Sequence, residues 1–207
     1  MIPLDKLQIA CPKKQRFHMK TKQKICLIGG TFDPIHLGHT YIAEKCRREL
    51  NIDKIIFLPC KQSPHKLTKE NAVDHHRLRM CQLATANFPW ALVDDYDLTA
   101  PPPSYSWRTA EYMQKKYPDA ELYWLMGTDQ WNAISKWNRA DYLATLVKFI
   151  VVTRGEAPLE TEGFHFIPIG GSHTASATSI RNTPTSNSSI GWLHPKVLNY
   201  VKKNCIY

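Results

Sequence analysis

Short apolar runs rich in β-branched and aromatic residues alternate with amphipathic stretches along most of this chain, and no other feature restricts its fold as much. Strands are expected over 25–28, 54–58, 91–93, 121–126, 148–152 and 164–167. Helices are expected between them over 39–50, 74–87, 106–116 and 139–146, with a last one over 195–203. The 39–50 stretch sets Ile42, Cys46 and Leu50 on one stripe, and the 74–87 stretch sets Leu78, Cys81 and Leu83 near one face. Strand, helix, strand, helix reads as an α/β architecture with a mainly parallel sheet and helices on both faces. At 207 residues, 43% hydrophobic and 22% charged, the chain can bury one sizeable core. Segments 61–69, 101–104, 154–163 and the Ser/Thr-rich 170–189 are expected to be loops.

The formal charge of +9 raises nucleic acid as a partner, and its distribution argues against one. Residues 1–24 carry seven Lys/Arg against Asp5 alone, whereas the other 183 residues carry 20 positive and 17 negative side chains. The excess belongs to a basic N-terminal extension, 1–23, expected to be mobile and to lack the apolar segment of a secretory signal. Met19 offers an alternative start, and 24–207 are expected to form a single domain. Six Trp and nine Tyr are not interleaved with Lys/Arg as a nucleic-acid stacking platform requires. The longest apolar runs, such as 148–152, are far too short to cross a bilayer. Cysteines at 11, 26, 46, 60, 81 and 205 form no Cys-x-x-Cys and fit reduced thiols in a cytoplasmic protein.

Chemistry concentrates in Gly29-Gly30-Thr31-Phe32-Asp33-Pro34-Ile35-His36-Leu37-Gly38-His39, which follows the first expected strand and enters the first helix. An open α/β sheet binds phosphates at that junction, because small residues admit the backbone and helix-start amides face anionic oxygens. The segment is neither a Gly-x-Gly-x-x-Gly fingerprint nor a Walker loop. It adds His36 and His39, three residues apart on one helical face, with Gly38 expected to keep space between them clear for a ligand. Two imidazoles there can donate N–H bonds to phosphate oxygens.

This segment resembles the first motif of the His-x-Gly-His nucleotidyltransferase superfamily, and most closely the bacterial nicotinate-nucleotide adenylyltransferases. Pro64-His65-Lys66, Ser104-Tyr105-Ser106 with Thr109, Gly127-Thr128-Asp129, Trp137 and Thr178-Ser179-Ile180-Arg181 are similar to that family's later motifs, as is the tail ending in Ile206-Tyr207. Three positions depart from the pattern. Ala177 replaces one Ser of a pair, Asn138 stands where many members carry Tyr, and Ser106 replaces Thr.

The resemblance implies a Rossmann-like doubly wound fold and transfer of AMP from ATP to nicotinate mononucleotide, giving deamido-NAD and pyrophosphate. It implies catalytic roles for His36, His39 and Arg181. Gly29, Gly30, Thr31, Phe32, Gly127, Asp129, Ser176 and Thr178 would contact ATP with them. Lys66, Tyr105, Ser106, Trp137 and Asn138 would contact the mononucleotide, with Trp137 stacked on the pyridine. Mg²⁺ would arrive with ATP, and no protein carboxylate cage is expected. Nicotinamide mononucleotide or phosphopantetheine as the acceptor, or a non-catalytic NAD sensor, are the alternatives.

Overall fold

The computed structural model describes residues 22–64, 71–153, 155 and 157–207. Most of the basic extension, together with His65 and Lys66, therefore lies outside the described residues. In chain order the elements are β1 (Lys24–Gly30), α1 (Leu37–Leu50), β2 (Lys54–Pro59), α2 (Asp74–Thr85), β3 (Ala91–Val93), α3 (Tyr96–Thr99), α4 (Ser106–Lys116) and β4 (Glu121–Gly127). Then come α5 (Thr128–Trp131), a 3₁₀ turn (Ile134–Lys136), α6 (Ala140–Leu146), β5 (Lys148–Thr153), β6 (Phe166–Gly170), α7 (Ala177–Asn182), α8 (Asn187–Gly191) and α9 (Pro195–Lys203).

The six strands form one sheet in the order β3-β2-β1-β4-β5-β6, and every pairing is parallel. The sheet is Rossmann-like and doubly wound: the chain runs outward from β1 to β3, then returns to the centre and runs outward again from β4 to β6. Strand alternation sorts the core into two layers. Cys26 and Ile28 face Ala43 and Cys46 of α1, Met80 of α2 and Val197 of α9. Ile25 and Leu27 face Ala110 and Met113 of α4 and Leu143 of α6. Buried on both sides, the central strands read as continuous apolar runs. No helix among the described residues is long and apolar enough to cross a membrane.

Three expectations need correction. The last strand lies at Phe166–Gly170, not 164–167. Phe164 packs edge-on against Trp131 at 6.5 Å, and Pro168 is tolerated because β6 is an edge strand. The 170–189 segment contains α7 and α8 rather than only loop, since Ser176 and Ser186 accept from the amides of Ser179 and Ser189 as N-caps. On α2 the buried face carries Arg77, Met80, Cys81 and Ala84, leaving Leu78 only half-buried. Arg77 reaches zero exposure because its guanidinium donates to the carbonyls of Thr31, Cys60 and Ala72.

Candidate active site

A cleft of about 950 Å³ opens at the carboxyl ends of β1 and β4, where the winding direction reverses. Its floor is the end of β1 and the turn after it: Gly29, Gly30, Thr31, Phe32 and Asp33. Gly29 allows close packing of the sheet there, since a Cβ would lie 3.0 Å from the Trp124 indole. Phe32, at φ 48° and 3% exposed, turns its ring edge-on to His39 with centroids 5.1 Å apart.

His39 lines the cleft at the N-terminus of α1. Its Nδ1 accepts the backbone N–H of His36 at 3.2 Å, so in the neutral ring the proton sits on Nε2. His36 is the N-cap, and its ring stacks on His39 with centroids 3.8 Å apart. His36 thus backs the cleft-lining ring. The expected ligand gap at Gly38 is corrected as well, because a Cβ there would meet the His36 ring itself at 3.0 Å.

Across the cleft, α7 presents Thr178 and Arg181. One guanidinium nitrogen of Arg181 donates to the backbone carbonyl of Asp33, and Nη2 donates to Thr178 Oγ1 at 3.2 Å. Ser176 stands at the start of this helix, where its Oγ accepts the amide of Ser179 at 3.4 Å.

The cleft is also lined by Ser104, Tyr105, Ser106, Trp137 and Asn138, with Gly127 ending β4 and Asp129 just after it. Asp129 is exposed at the rim. Lys66 lies outside the described residues.

Four residues that shape the cleft were given no role from the sequence. Asp33 is 3% exposed; its Oδ1 accepts the Tyr207 hydroxyl at 2.6 Å and the Ala72 amide at 3.3 Å, while Oδ2 lies 4.0 Å from Arg181. Burial and the neighbouring Asp33 carboxylate push the Tyr207 hydroxyl well above the ordinary phenol range. Arg77 fastens the turn after β1 to the end of β2. Asp97 lines the cleft, and burial pushes its carboxyl up to about 6 although the Thr109 hydroxyl donates to it at 2.6 Å. Asp33 belonged to a motif, but nothing local marked its partners. Arg77 and Asp97 looked like ordinary polar positions.

The cytidylyltransferase-like family profile matches residues 27–183. Among curated proteins, the chain is 37% identical over 190 residues to a protein of Methylacidiphilum infernorum, covering 90% of this chain and 93% of that one. It is 36% identical over 187 residues to one of Staphylococcus epidermidis, covering 89% and 97%. Both bear the name "Probable nicotinate-nucleotide adenylyltransferase". Among solved structures, Plasmodium falciparum nicotinic acid mononucleotide adenylyltransferase complexed with NaAD shares the fold, with TM-score 0.73 at 21% identity over 89% of this chain and 97% of that one.

Proposed function

This chain belongs to the cytidylyltransferase-like family and, within it, to the nicotinate-nucleotide adenylyltransferases, and we propose from that membership that it transfers AMP from ATP to nicotinate mononucleotide. The observation that carries this reading is one cleft with two kinds of wall. His39 and Arg181, which suit phosphate, and Tyr105, Trp137 and Asn138, which suit a pyridine ring, line the same cleft.

The 5′-phosphate of the mononucleotide attacks the α-phosphorus of ATP and pyrophosphate leaves. The attacking oxygen is already largely ionised near neutral pH, so the chain need not supply a strong base. Its task is to bring two polyanions together and to offset the charge that develops on the phosphoryl oxygens. His39 Nε2–H and the amides opening α1 would serve the α-phosphate, aided by the positive end of the helix dipole. His36, stacked behind, would hold that ring in its orientation. Arg181 and Thr178 would receive the departing pyrophosphate, with Ser176 fixing the start of their helix. Gly29, Gly30, Thr31 and Phe32 would shape the nucleotide floor, and Gly127 and Asp129 would meet ribose.

Tyr105, Ser106, Trp137 and Asn138 would hold the pyridine side, and Lys66 a phosphate. ATP would enter as its Mg²⁺ complex, the cation neutralising part of the triphosphate charge. Of the three cleft carboxylates among the described residues, Asp33 accepts from Tyr207 through Oδ1 and Asp97 accepts from Thr109, and the ion would be held chiefly by the phosphate oxygens of ATP. Residues 24–207 would act as one catalytic domain in the cytoplasm.

Pyrophosphate release tests the reading with ATP and each of three acceptors. Nicotinate mononucleotide should exceed nicotinamide mononucleotide in kcat/KM by about 10²-fold or more, because charge-assisted bonds to a carboxylate are about twice as strong as neutral ones. Turnover with phosphopantetheine alone, or with no acceptor, would overturn it.

A further inference from the structure

Asn138 lines the cleft in the loop between the 3₁₀ turn and α6, and a side-chain amide ordinarily serves donors and acceptors alike. Here it has been given one orientation. The indole Nε1–H of Trp107, in the first turn of α4, reaches Asn138 Oδ1 at 2.9 Å. An indole nitrogen only donates, so the amide oxygen must face Trp107. The NH₂ is then the group that Asn138 can turn to a ligand.

Trp107 is itself held in place by two cations. The Arg139 guanidinium lies 4.5 Å from its ring and 4.3 Å from that of Tyr142. Arg108 lies 5.3 Å from Trp107 and 5.0 Å from Tyr105, which lines the cleft. Tyr142 in turn hydrogen-bonds Glu111 of α4, so α4 and α6 are bridged around the indole.

We propose that Trp107 is a specificity-determining positioning residue: by binding the amide oxygen of Asn138 it turns that side chain's NH₂ to the cleft, and so favours a pyridine carboxylate over a carboxamide. A carboxylate accepts and never donates, so either of its oxygens can take the NH₂, and the charges of Arg108 and Arg139 around Trp107 favour the anion. A carboxamide can offer that NH₂ only its carbonyl, and it brings no charge to the arginines. The inference rests on the adenylyl-transfer reading above and names the group that sets its choice of mononucleotide.

The test is kcat/KM for nicotinate and for nicotinamide mononucleotide in the full chain, in Trp107→Phe, in Asn138→Ala and in the double variant. Phenylalanine keeps a ring between the arginines and removes only the indole donor, freeing the amide to rotate. The nicotinate-to-nicotinamide ratio should fall about tenfold in Trp107→Phe, with most of the change in KM for the nicotinamide substrate. In the Asn138→Ala background the same substitution should leave the ratio within about twofold, because Trp107 acts through Asn138. A purely structural role would move both substrates together. An unchanged ratio in Trp107→Phe, or an equal fall in both backgrounds, overturns the inference while the adenylyl-transfer reading stands. Absence of pyrophosphate release by the unaltered chain overturns both.

Discussion

His39 and Asp97 both line the cleft; a single contact orients the first, and burial sets the charge state of the second. His39 is oriented by the His36 backbone N–H at its Nδ1, which directs Nε2–H outward as a donor. His39→Ala should lower kcat by about 10²-fold, roughly 2.7 kcal/mol of transition-state stabilisation, with little change in Tm. Single-turnover rates with saturating ATP measure this, and a loss below about threefold would remove His39 from the phosphate-handling role.

Asp97 makes a different prediction. Its carboxyl is pushed up to about 6 from the ordinary 3.8, so between those values the folded protein holds a proton that the unfolded chain releases. Stability should therefore fall as pH rises from about 4 to 6, with the full cost present above the folded value. Asn at this position still accepts from Thr109 and carries no charge. Asp97→Asn should raise stability at pH 7 by about 1–3 kcal/mol and flatten the pH dependence, as read by urea unfolding at pH 4.5 and 7. A variant less stable than the parent at pH 7 would contradict this.

At the scale of elements, the entrance of α1 is shaped by a residue with no side chain. Gly38 is buried against the His36 ring, and a methyl group there would need that ring to move. Gly38→Ala should cost about 1–3 kcal/mol in stability through overpacking and lower kcat through the His36–His39 stack. Gly191→Ala, at the exposed end of α8 where a Cβ meets nothing within 4 Å, is the control. Equal kcat losses at both sites would argue against packing as the cause.

Most elements were legible from periodicity, and α4 and α9 match their expected spans to the residue. The misreadings have a common cause. Ser-rich 170–189 looked like loop because serine is a poor mid-helix residue, yet Ser176 and Ser186 are caps. The face of α2 was misplaced because a buried arginine cannot be foreseen from an amphipathic pattern. The carbonyls it meets and its ion pair with Asp74 make it admissible.

At the scale of the molecule, the last residue closes on a carboxylate in the turn after β1. Tyr207 and Asp33, 174 positions apart, share a 2.6 Å hydrogen bond, and Arg181 reaches the Asp33 carbonyl from 148 positions away. Tyr207→Phe should destabilise the protein by about 1–3 kcal/mol, because a buried carboxylate oxygen loses its strongest donor. It should also raise KM for ATP, as the turn that holds Arg181 loosens. Denaturant unfolding and ATP titration measure the two effects, and stability unchanged within about 0.5 kcal/mol would show that the bond carries no net weight.

What the sequence by itself determined is what depends on neighbours a few residues apart. Strand and helix alternation and the β1-to-α1 junction follow from local periodicity and backbone preference, and the later motif residues from resemblance to a family. Only the tertiary structure decided how those pieces meet: the orientation of Asn138 by Trp107, the burial of Arg77 and Asp97, and the closure of Tyr207 on Asp33. Each depends on a hydrogen-bond partner brought close by packing. A donor or acceptor in sequence carries no record of the partner it will meet across the sheet, and that partner fixes its direction, its charge and its use.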